Sequence, residues 1–274
     1  MITRDITERS LPTGPALAVR DLVVCYDETP VLEGVSMTVP PGEVRVILGG
    51  SGSGKSTLLR SVLGLTEVRS GRVEILGEEL GGLSDEERTA HMQRVGVMFQ
   101  NAALLGSLTV AENVAMPLIE HRRYPEEVVK EIVHMKLELV GLGHAAQRYP
   151  AELSGGMKKR AGLARAMVMD PEILFCDEPS AGLDPVTSSE LDALILNLKR
   201  LFEMTVVVVT HELASIETIA DSLIMVGGGK VIAEGPAAEV REMDHPAVRA
   251  FFGREGEAGA GSRRTAAGLL GLRR

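Results

Sequence analysis

The sequence predicts an α/β fold built on a parallel sheet, and three features support this class. The apolar strand Val44–Leu48 is followed by a glycine-rich loop and a helical stretch at 57–65, the usual opening of a parallel α/β sheet. Two further short runs, 173–176 and 206–210, are apolar apart from the final Thr210, as strands buried on both faces are. The 274 residues, 45% of them hydrophobic, suffice for one large or two small domains with a buried core.

The remaining strands and helices of the first hundred residues follow in order. Short apolar runs with β-branched residues recur over 17–39 and predict strands joined by turns. Another strand is predicted at 71–76. Residues 84–87 read Ser-Asp-Glu-Glu, the form of a capping box, which predicts a helix from Ser84 to about 93. A strand is then predicted at 95–99.

Helices are predicted to dominate from 110 to 169, and the two ends of the chain differ from the rest. Apolar residues at helical spacing predict one helix over 125–140, and a late strand is predicted at 231–233. Residues 1–16 are predicted to be a loose leader. The tail at 254–274 is rich in Gly, Ala and Arg, which leaves two interpretations open, a disordered end or an arm that binds a partner.

Composition argues against nucleic acid as a partner. The chain carries 38 acidic and 29 basic residues, while phosphate backbones are bound by clustered Lys and Arg. Aromatic residues make up only 3%, so base stacking has few candidates.

Cys25 and Cys176 stand far apart, which predicts neither a zinc site nor a disulfide framework. The polar start resembles no signal peptide, and runs such as 206–209 are far shorter than the roughly 20 residues of a transmembrane helix.

A phosphate-binding loop is predicted between the strand Val44–Leu48 and the next helix. Its sequence matches G-x-x-x-x-G-K-[ST], in which backbone N–H groups and the helix N-terminus cradle phosphates. Lys55 is expected to reach the β- and γ-phosphates and Ser56 to bind Mg²⁺. ATP or GTP binding is therefore predicted. The residues assigned to this site are Gly49, Gly50, Ser51, Gly52, Ser53, Gly54, Lys55, Ser56 and Thr57.

Two adjacent carboxylates form a second candidate motif. The apolar run 173–176 ends at Asp177 and Glu178. A polar strand end of this kind is common and by itself weak evidence. Together with the upstream loop, it predicts that Asp177 binds Mg²⁺ opposite Ser56 and that Glu178 polarises the attacking water, which favours hydrolysis over nucleotide sensing.

The run Leu153-Ser154-Gly155-Gly156-Met157 stands shortly before these carboxylates. With this motif in place, the chain resembles the nucleotide-binding subunits of ABC transporters over about 17–252. The resemblance implies a P-loop NTPase fold with a RecA-like core, an antiparallel β-subdomain and a helical signature subdomain at about 101–165. The ATP-binding domain would then span 17–253, with ATP and Mg²⁺ as its ligands.

The resemblance also assigns roles to four further residues. Tyr26, otherwise an ordinary strand residue, would stack on adenine. Gln100 would contact Mg²⁺ and face the membrane subunit. Asp184 would be the acid that crosses the dimer. His211, after the run 206–210, would be the switch histidine near the γ-phosphate, and it completes the predicted catalytic set.

The same resemblance implies a dimer. Ser154, Gly155 and Gly156 would contact the γ-phosphate of an ATP molecule held by the loop of a second copy, because a hydroxyl, glycine N–H groups and a helix N-terminus form an anion site. Two copies would thus enclose two ATP molecules. Hydrolysis would release them, and membrane permease subunits would convert this cycle into transport.

Several details are similar to the ATPases of Mce-type lipid transporters, which include a bacterial phospholipid system. Met157 replaces the more usual Gln, and 158–160 read Lys-Lys-Arg after it; 100–105 and 109–114 add to the likeness. Mce-domain and small regulatory subunits would be further partners, at the cytoplasmic face of the bacterial inner membrane. The nearest alternative is the ATPase of an importer for amino acids or other small solutes. The resemblance implies that the transported molecule would contact the membrane partners and not this chain, so these residues do not encode its identity.

Non-transport alternatives fit less well. ABC ATPases that act on DNA carry long coiled coils before the signature, and no sustained heptads occur here. Translation-type proteins have two ATPase halves, and this chain has one. A regulator that only binds ATP would not need the complete set of Lys55, Gln100, Asp177, Glu178 and His211.

Overall fold

The structure is a computed structural model that describes residues 14–121 and 124–253. Most of the predicted leader and the whole predicted tail at 254–274 lie outside the described residues. The strands are β1 Leu17–Tyr26, β2 Thr29–Val39, β3 Val44–Leu48, β4 Ser70–Ile75, β5 Glu78–Glu79, β6 Val95–Met98, β7 Ile173–Asp177, β8 Thr205–Val209, β9 Ser222–Gly227 and β10 Lys230–Pro236. The helices are α1 Lys55–Val62, α2 Asp85–Met92, α3 Val110–Glu120, α4 Glu126–Leu139, α5 Gly155–Ala166, α6 Pro185–Phe202, α7 Leu213–Ile219, α8 Ala237–Glu242 and α9 Pro246–Phe252.

The larger sheet positions the candidate site. Its strand order is β10-β9-β3-β8-β7-β6, and all neighbouring pairs are parallel except the antiparallel hairpin of β9 and β10. Because the carboxyl ends of parallel strands meet at one edge, the segments that follow β3, β8, β7 and β6 lie side by side there. These segments carry the predicted phosphate loop, His211, the pair of carboxylates and Gln100.

The larger sheet is covered on both faces, as its continuously apolar strands predict. Side chains alternate along β8, so Val206 and Val208 belong to one core cluster and Val207 and Val209 to the other. The first cluster is closed by α3 to α9. The second is closed by α1 and by the antiparallel sheet β2-β1-β4-β5.

Most predicted elements are present, and the differences are at their ends. The helix expected over 57–65 is α1, which starts at Lys55 because Gly54 caps it in a left-handed conformation, with φ of 102°. The strand expected over 95–99 ends at Met98, so Gln100 lies in a turn beyond it. The capping box at Ser84 forms as predicted, with its partner Glu87. Neither α6 nor β9 was predicted from the sequence.

Helices α3, α4 and α5 pack against one another over the segment that was predicted to be mainly helical. Asn113, fully buried in α3, accepts a hydrogen bond from the N–H of Leu105 and donates to the carbonyls of residues 105, 108 and 109. This fixes the loop after Gln100 to the helices. None of the helices in the described ranges has the length and apolar character that a bilayer crossing requires.

Candidate active site

The loop between β3 and α1 has the backbone shape that its glycines predict. Gly49 has φ of 150°, and a Cβ there would lie 2.1 Å from the carbonyl oxygen of Val226 in the neighbouring strand β9. At Gly54, whose φ is also positive, a Cβ would meet the side chain of Leu32 at 2.7 Å. Side chains are excluded at both positions, and the loop turns tightly into the N-terminus of α1.

Lys55 stands at the first position of α1 and folds back over the loop. Its Nζ donates to the carbonyls of Gly49 and Gly50, each at 2.9 Å. Burial lowers the pKa of Lys55, and the charges of Glu178 and Asp177 partly oppose that shift. The ammonium group therefore lies between the loop and the two carboxylates. A triphosphate in the loop would supply charged oxygens as acceptors in place of these carbonyls.

Of the two carboxylates at the end of β7, Asp177 is half-buried and Glu178 is buried. Burial first, and then the neighbouring charge of Glu178, raise the pKa of Asp177. Asp177 Oδ1 and Glu178 Oε2 are buried atoms with no hydrogen-bond partner among the described residues. Unpaired oxygens of this kind are suited to a cation and a water molecule. Mg²⁺ prefers oxygen ligands, so the donor groups of Ser56, Gln100 and Asp177 fit it.

His211 lies after β8, beside the carboxylates. Its Nδ1 is 2.7 Å from Glu178 Oε1, and its side chain is otherwise largely exposed. With Glu178 as a carboxylate, Nδ1 must be the donor, because an ionised carboxylate only accepts. The other ring nitrogen, Nε2, takes no part in this contact. Hence the structure brings His211 and Glu178 together from strands that are neighbours in the sheet.

Ser154, Gly155 and Gly156 form the start of α5. Ser154 is the N-cap, and its hydroxyl accepts from the N–H of Met157 at 3.3 Å. A Cβ on Gly156 would meet the side chain of Thr187 at 2.5 Å, so this end of α5 packs on the start of α6. Ser154 and Gly155 are exposed. Within the described residues, no hydrogen bond joins these three residues to the phosphate loop.

The carboxylate of Asp184 accepts hydrogen bonds from its own helix, α6. As the N-cap of α6, it accepts from the N–H groups of Val186 and Thr187, each at 3.1 Å. The hydroxyl of Thr187 donates to its second oxygen. These bonds, led by that hydroxyl, lower the pKa of Asp184. The carboxylate thus stabilises the start of α6 within a single chain.

Tyr26 and Gln100 lie at opposite sides of the site. Tyr26 ends β1 with an exposed ring, and hydrogen bonds with Thr66 and then Thr57 lower the pKa of its hydroxyl. Thr57 is in the first turn of α1, so the ring is beside the phosphate loop. Gln100 is exposed in the turn after β6. Its backbone carbonyl accepts from Lys159, a residue to which no sequence motif assigned a function.

This fold and this site define a P-loop nucleoside triphosphatase. The family model described as "ABC transporter" matches residues 32–181, more than half of the chain. The chain therefore belongs to the ABC transporter family, and the predicted family and fold class are confirmed. It is the ATP-hydrolysing subunit of an ABC transporter, with ATP and Mg²⁺ as ligands.

Three similar proteins agree with this assignment. The "Probable ribonucleotide transport ATP-binding protein mkl" of Mycobacterium leprae is 40% identical over 242 residues, which cover 88% of this chain and 70% of that protein. The "Methionine import ATP-binding protein MetN" of Carboxydothermus hydrogenoformans is 39% identical over 239 residues, covering 86% and 71%. A solved dimer of the ATP-binding cassette MJ0796, in a post-hydrolysis state with ADP and Pi, has a TM-score of 0.74 and 30% identity, and the match covers 81% of this chain and 98% of that one.

Proposed function

We propose that two copies of this protein enclose two ATP molecules, each held between the phosphate loop of one copy and the start of α5 of the other. The observation that carries this proposal is the exposed N-terminus of α5, capped by Ser154 and, among the described residues, not hydrogen-bonded to the phosphate loop of its own chain. A helix N-terminus with free N–H groups attracts anions. The similar cassette MJ0796, solved as a dimer with ADP and Pi, supports the dimeric part of this proposal.

Within each site, each residue has a separate role in the transfer of the γ-phosphoryl group to water. Lys55 and the loop N–H groups hold the β- and γ-phosphates, and Tyr26 supports the adenine. Bound Mg²⁺, held by Ser56, Gln100 and Asp177, would neutralise phosphate charge. Glu178 orients a water molecule for attack on the γ-phosphorus and accepts its proton, so the bond to the β-phosphate oxygen breaks and ADP leaves. His211 fixes Glu178 through the contact at 2.7 Å.

The membrane-spanning part belongs to a different polypeptide in this proposal. A groove of about 800 Å³ between α3 and α4 is lined largely by apolar side chains and includes the exposed Ile119 and Tyr124. It lies in the helical part that follows Gln100. We assign it to a permease subunit, which would hold the protein at the cytoplasmic face of the bacterial inner membrane. Asp184 would contact the second copy.

For the transported molecule, we propose phospholipid, on the likeness of 100–105, 109–114 and 153–160 to the ATPases of Mce-type transporters. Mce-domain and small regulatory subunits would then be partners. A second candidate is import of a small solute. It is favoured by the names of the two similar proteins, which refer to ribonucleotide and methionine transport. Purification of the assembly from membranes in mild detergent separates them, since Mce-domain subunits support the first and solute-binding proteins contradict it.

Replacement of Glu178 by Gln tests the ATPase proposal. Gln cannot accept the proton, so steady-state hydrolysis should fall by about 100-fold or more, while ATP still binds and a stable dimer accumulates. Sedimentation with ATP and Mg²⁺ measures the dimer, and phosphate release measures the rate. Glu127→Gln, on the exposed face of α4, is the matched control. Unchanged hydrolysis, or a variant that stays monomeric with ATP, would contradict the proposal.

A further inference from the structure

Lys159, in the second turn of α5, is a buried cation with an unusual pair of partners. Only 6% of the residue is exposed. Its Nζ donates to the backbone carbonyl of Gln100 at 2.5 Å and to that of Glu178 at 2.9 Å. Among the described residues, no carboxylate forms a salt bridge with it. Burying an ammonium group without a paired anion is costly, so a purely structural lysine is a poor choice for this position.

Lys159 contacts a residue, Glu178, whose backbone has an unfavourable conformation. Glu178 has φ of 45°, a left-handed conformation that residues with a Cβ avoid. Its N–H donates to the carbonyl of Val209 at 2.8 Å, and its carbonyl accepts from Lys159. The residue is therefore fixed on both sides. Its carboxylate is fixed in turn by His211.

The same ammonium holds the turn that contains Gln100, and both contacts originate from α5, the helix capped by Ser154. Three segments far apart in sequence thus meet at one side-chain atom. We propose that Lys159 is a positioning residue for hydrolysis. It keeps the Glu178 carboxylate in place and makes the orientation of that carboxylate depend on the position of α5. This inference rests on the proposed role of Glu178 as the residue that orients water.

Lys159→Met tests the inference, because Met keeps the unbranched apolar stem and most of its length but donates no hydrogen bond. We expect kcat to fall by about tenfold or more, as small misplacements of reacting groups do, while KM for ATP changes by about twofold or less. Lys158→Met, one residue earlier on the same helix and only partly buried, makes the same charge change and should leave kcat unchanged. Lys159→Gln, which still carries a donor, should retain several times the kcat of the Met variant.

A double variant separates positioning from a general loss of folding. In the Glu178→Gln background, adding Lys159→Met should lower residual single-turnover hydrolysis by less than about twofold, because the group to be positioned is already lost. ATP-dependent dimer formation by that double variant should persist. The inference would be overturned if the kcat of Lys159→Met stayed near that of the parent, or if the Gln and Met variants had equally low kcat. It would also be overturned if the losses in the double variant multiplied, or if that variant no longer formed the dimer. Unimpaired hydrolysis by Glu178→Gln alone would instead overturn the proposed function.

Discussion

Asp192, in α6, is a buried carboxyl group whose charge should destabilise the folded protein. It is 2% exposed, and its Oδ1 has no hydrogen-bond partner among the described residues. Burial raises its pKa from 3.8 to about 6, although a hydrogen bond with Ser215 opposes the shift and Glu212 adds to it. At about 1.36 kcal/mol per pH unit, this difference corresponds to about 3 kcal/mol above pH 7.

The sign of the effect follows from proton binding. Between about pH 4 and 6, the folded state holds the proton on Asp192 more tightly than the unfolded state does, so the free energy of unfolding falls as the pH rises through this window. The loss is complete near pH 7. An asparagine side chain at this position would not titrate. We therefore expect Asp192→Asn to raise the free energy of unfolding by about 1 to 3 kcal/mol at pH 7.5, the lower value allowing for an imperfectly paired amide.

Urea denaturation followed by circular dichroism at pH 5 and pH 7.5 measures this effect. The stabilisation by the substitution should be about 1.4 kcal/mol smaller at pH 5, where the parent carboxyl group is largely protonated. Asp27→Asn is the control, because Asp27 is exposed and its left-handed backbone also suits Asn; its effect should stay within about 0.5 kcal/mol. A less stable Asp192→Asn variant at pH 7.5, or equal gains at both pH values, would refute the reasoning.

Three further sets of substitutions have clear expected outcomes. Gly49→Ala should weaken ATP binding by about tenfold or more in a nucleotide titration, because the new Cβ would collide with a carbonyl oxygen of β9. Asn113→Ala should lower the free energy of unfolding by about 1 to 3 kcal/mol in urea, since the part-buried N–H of Leu105 and carbonyl of Leu108 lose their hydrogen-bond partner. Asp170→Asn should cost about 3 kcal/mol, while Lys136→Met should cost about 1 or less, because only Lys136 of this ion pair is buried. Equal losses in the last pair would contradict the expectation.

The sequence predicted the parallel sheet and its motifs because these signals are local. An apolar strand, the glycines after it and Lys55 are contiguous, and steric limits on the backbone determine the loop they form. The acids after β7 could likewise be placed at the sheet edge from the strand alone. Boundaries differed from the prediction, because the left-handed Gly54 starts α1 earlier than expected and β6 ends before Phe99.

The rest could not be predicted because it depends on contacts between distant residues. Lys159 would be placed on the solvent side of a helix by its charge, yet its partners are 59 and 19 residues away in the sequence. The left-handed backbone of Glu178 leaves no mark in composition or periodicity. Asp184 was assigned only to the dimer, and the sequence alone did not show that it caps α6 or that Thr187 bonds to its carboxylate through both its N–H and its hydroxyl.

The strand order of the larger sheet determines which parts of the site one chain can supply. The segments after β3, β8, β7 and β6 bring Lys55, His211, Glu178 and Gln100 to one edge, in that spatial order. Ser154 follows none of these strands, and it belongs to the helical part instead. That part contacts the edge through Lys159 and through Arg165, whose guanidinium donates to the carbonyls of residues 102 and 103. A shift of α5 on dimer closure would therefore move the backbone of Gln100 and Glu178 together, so that closure and the alignment of water become one event.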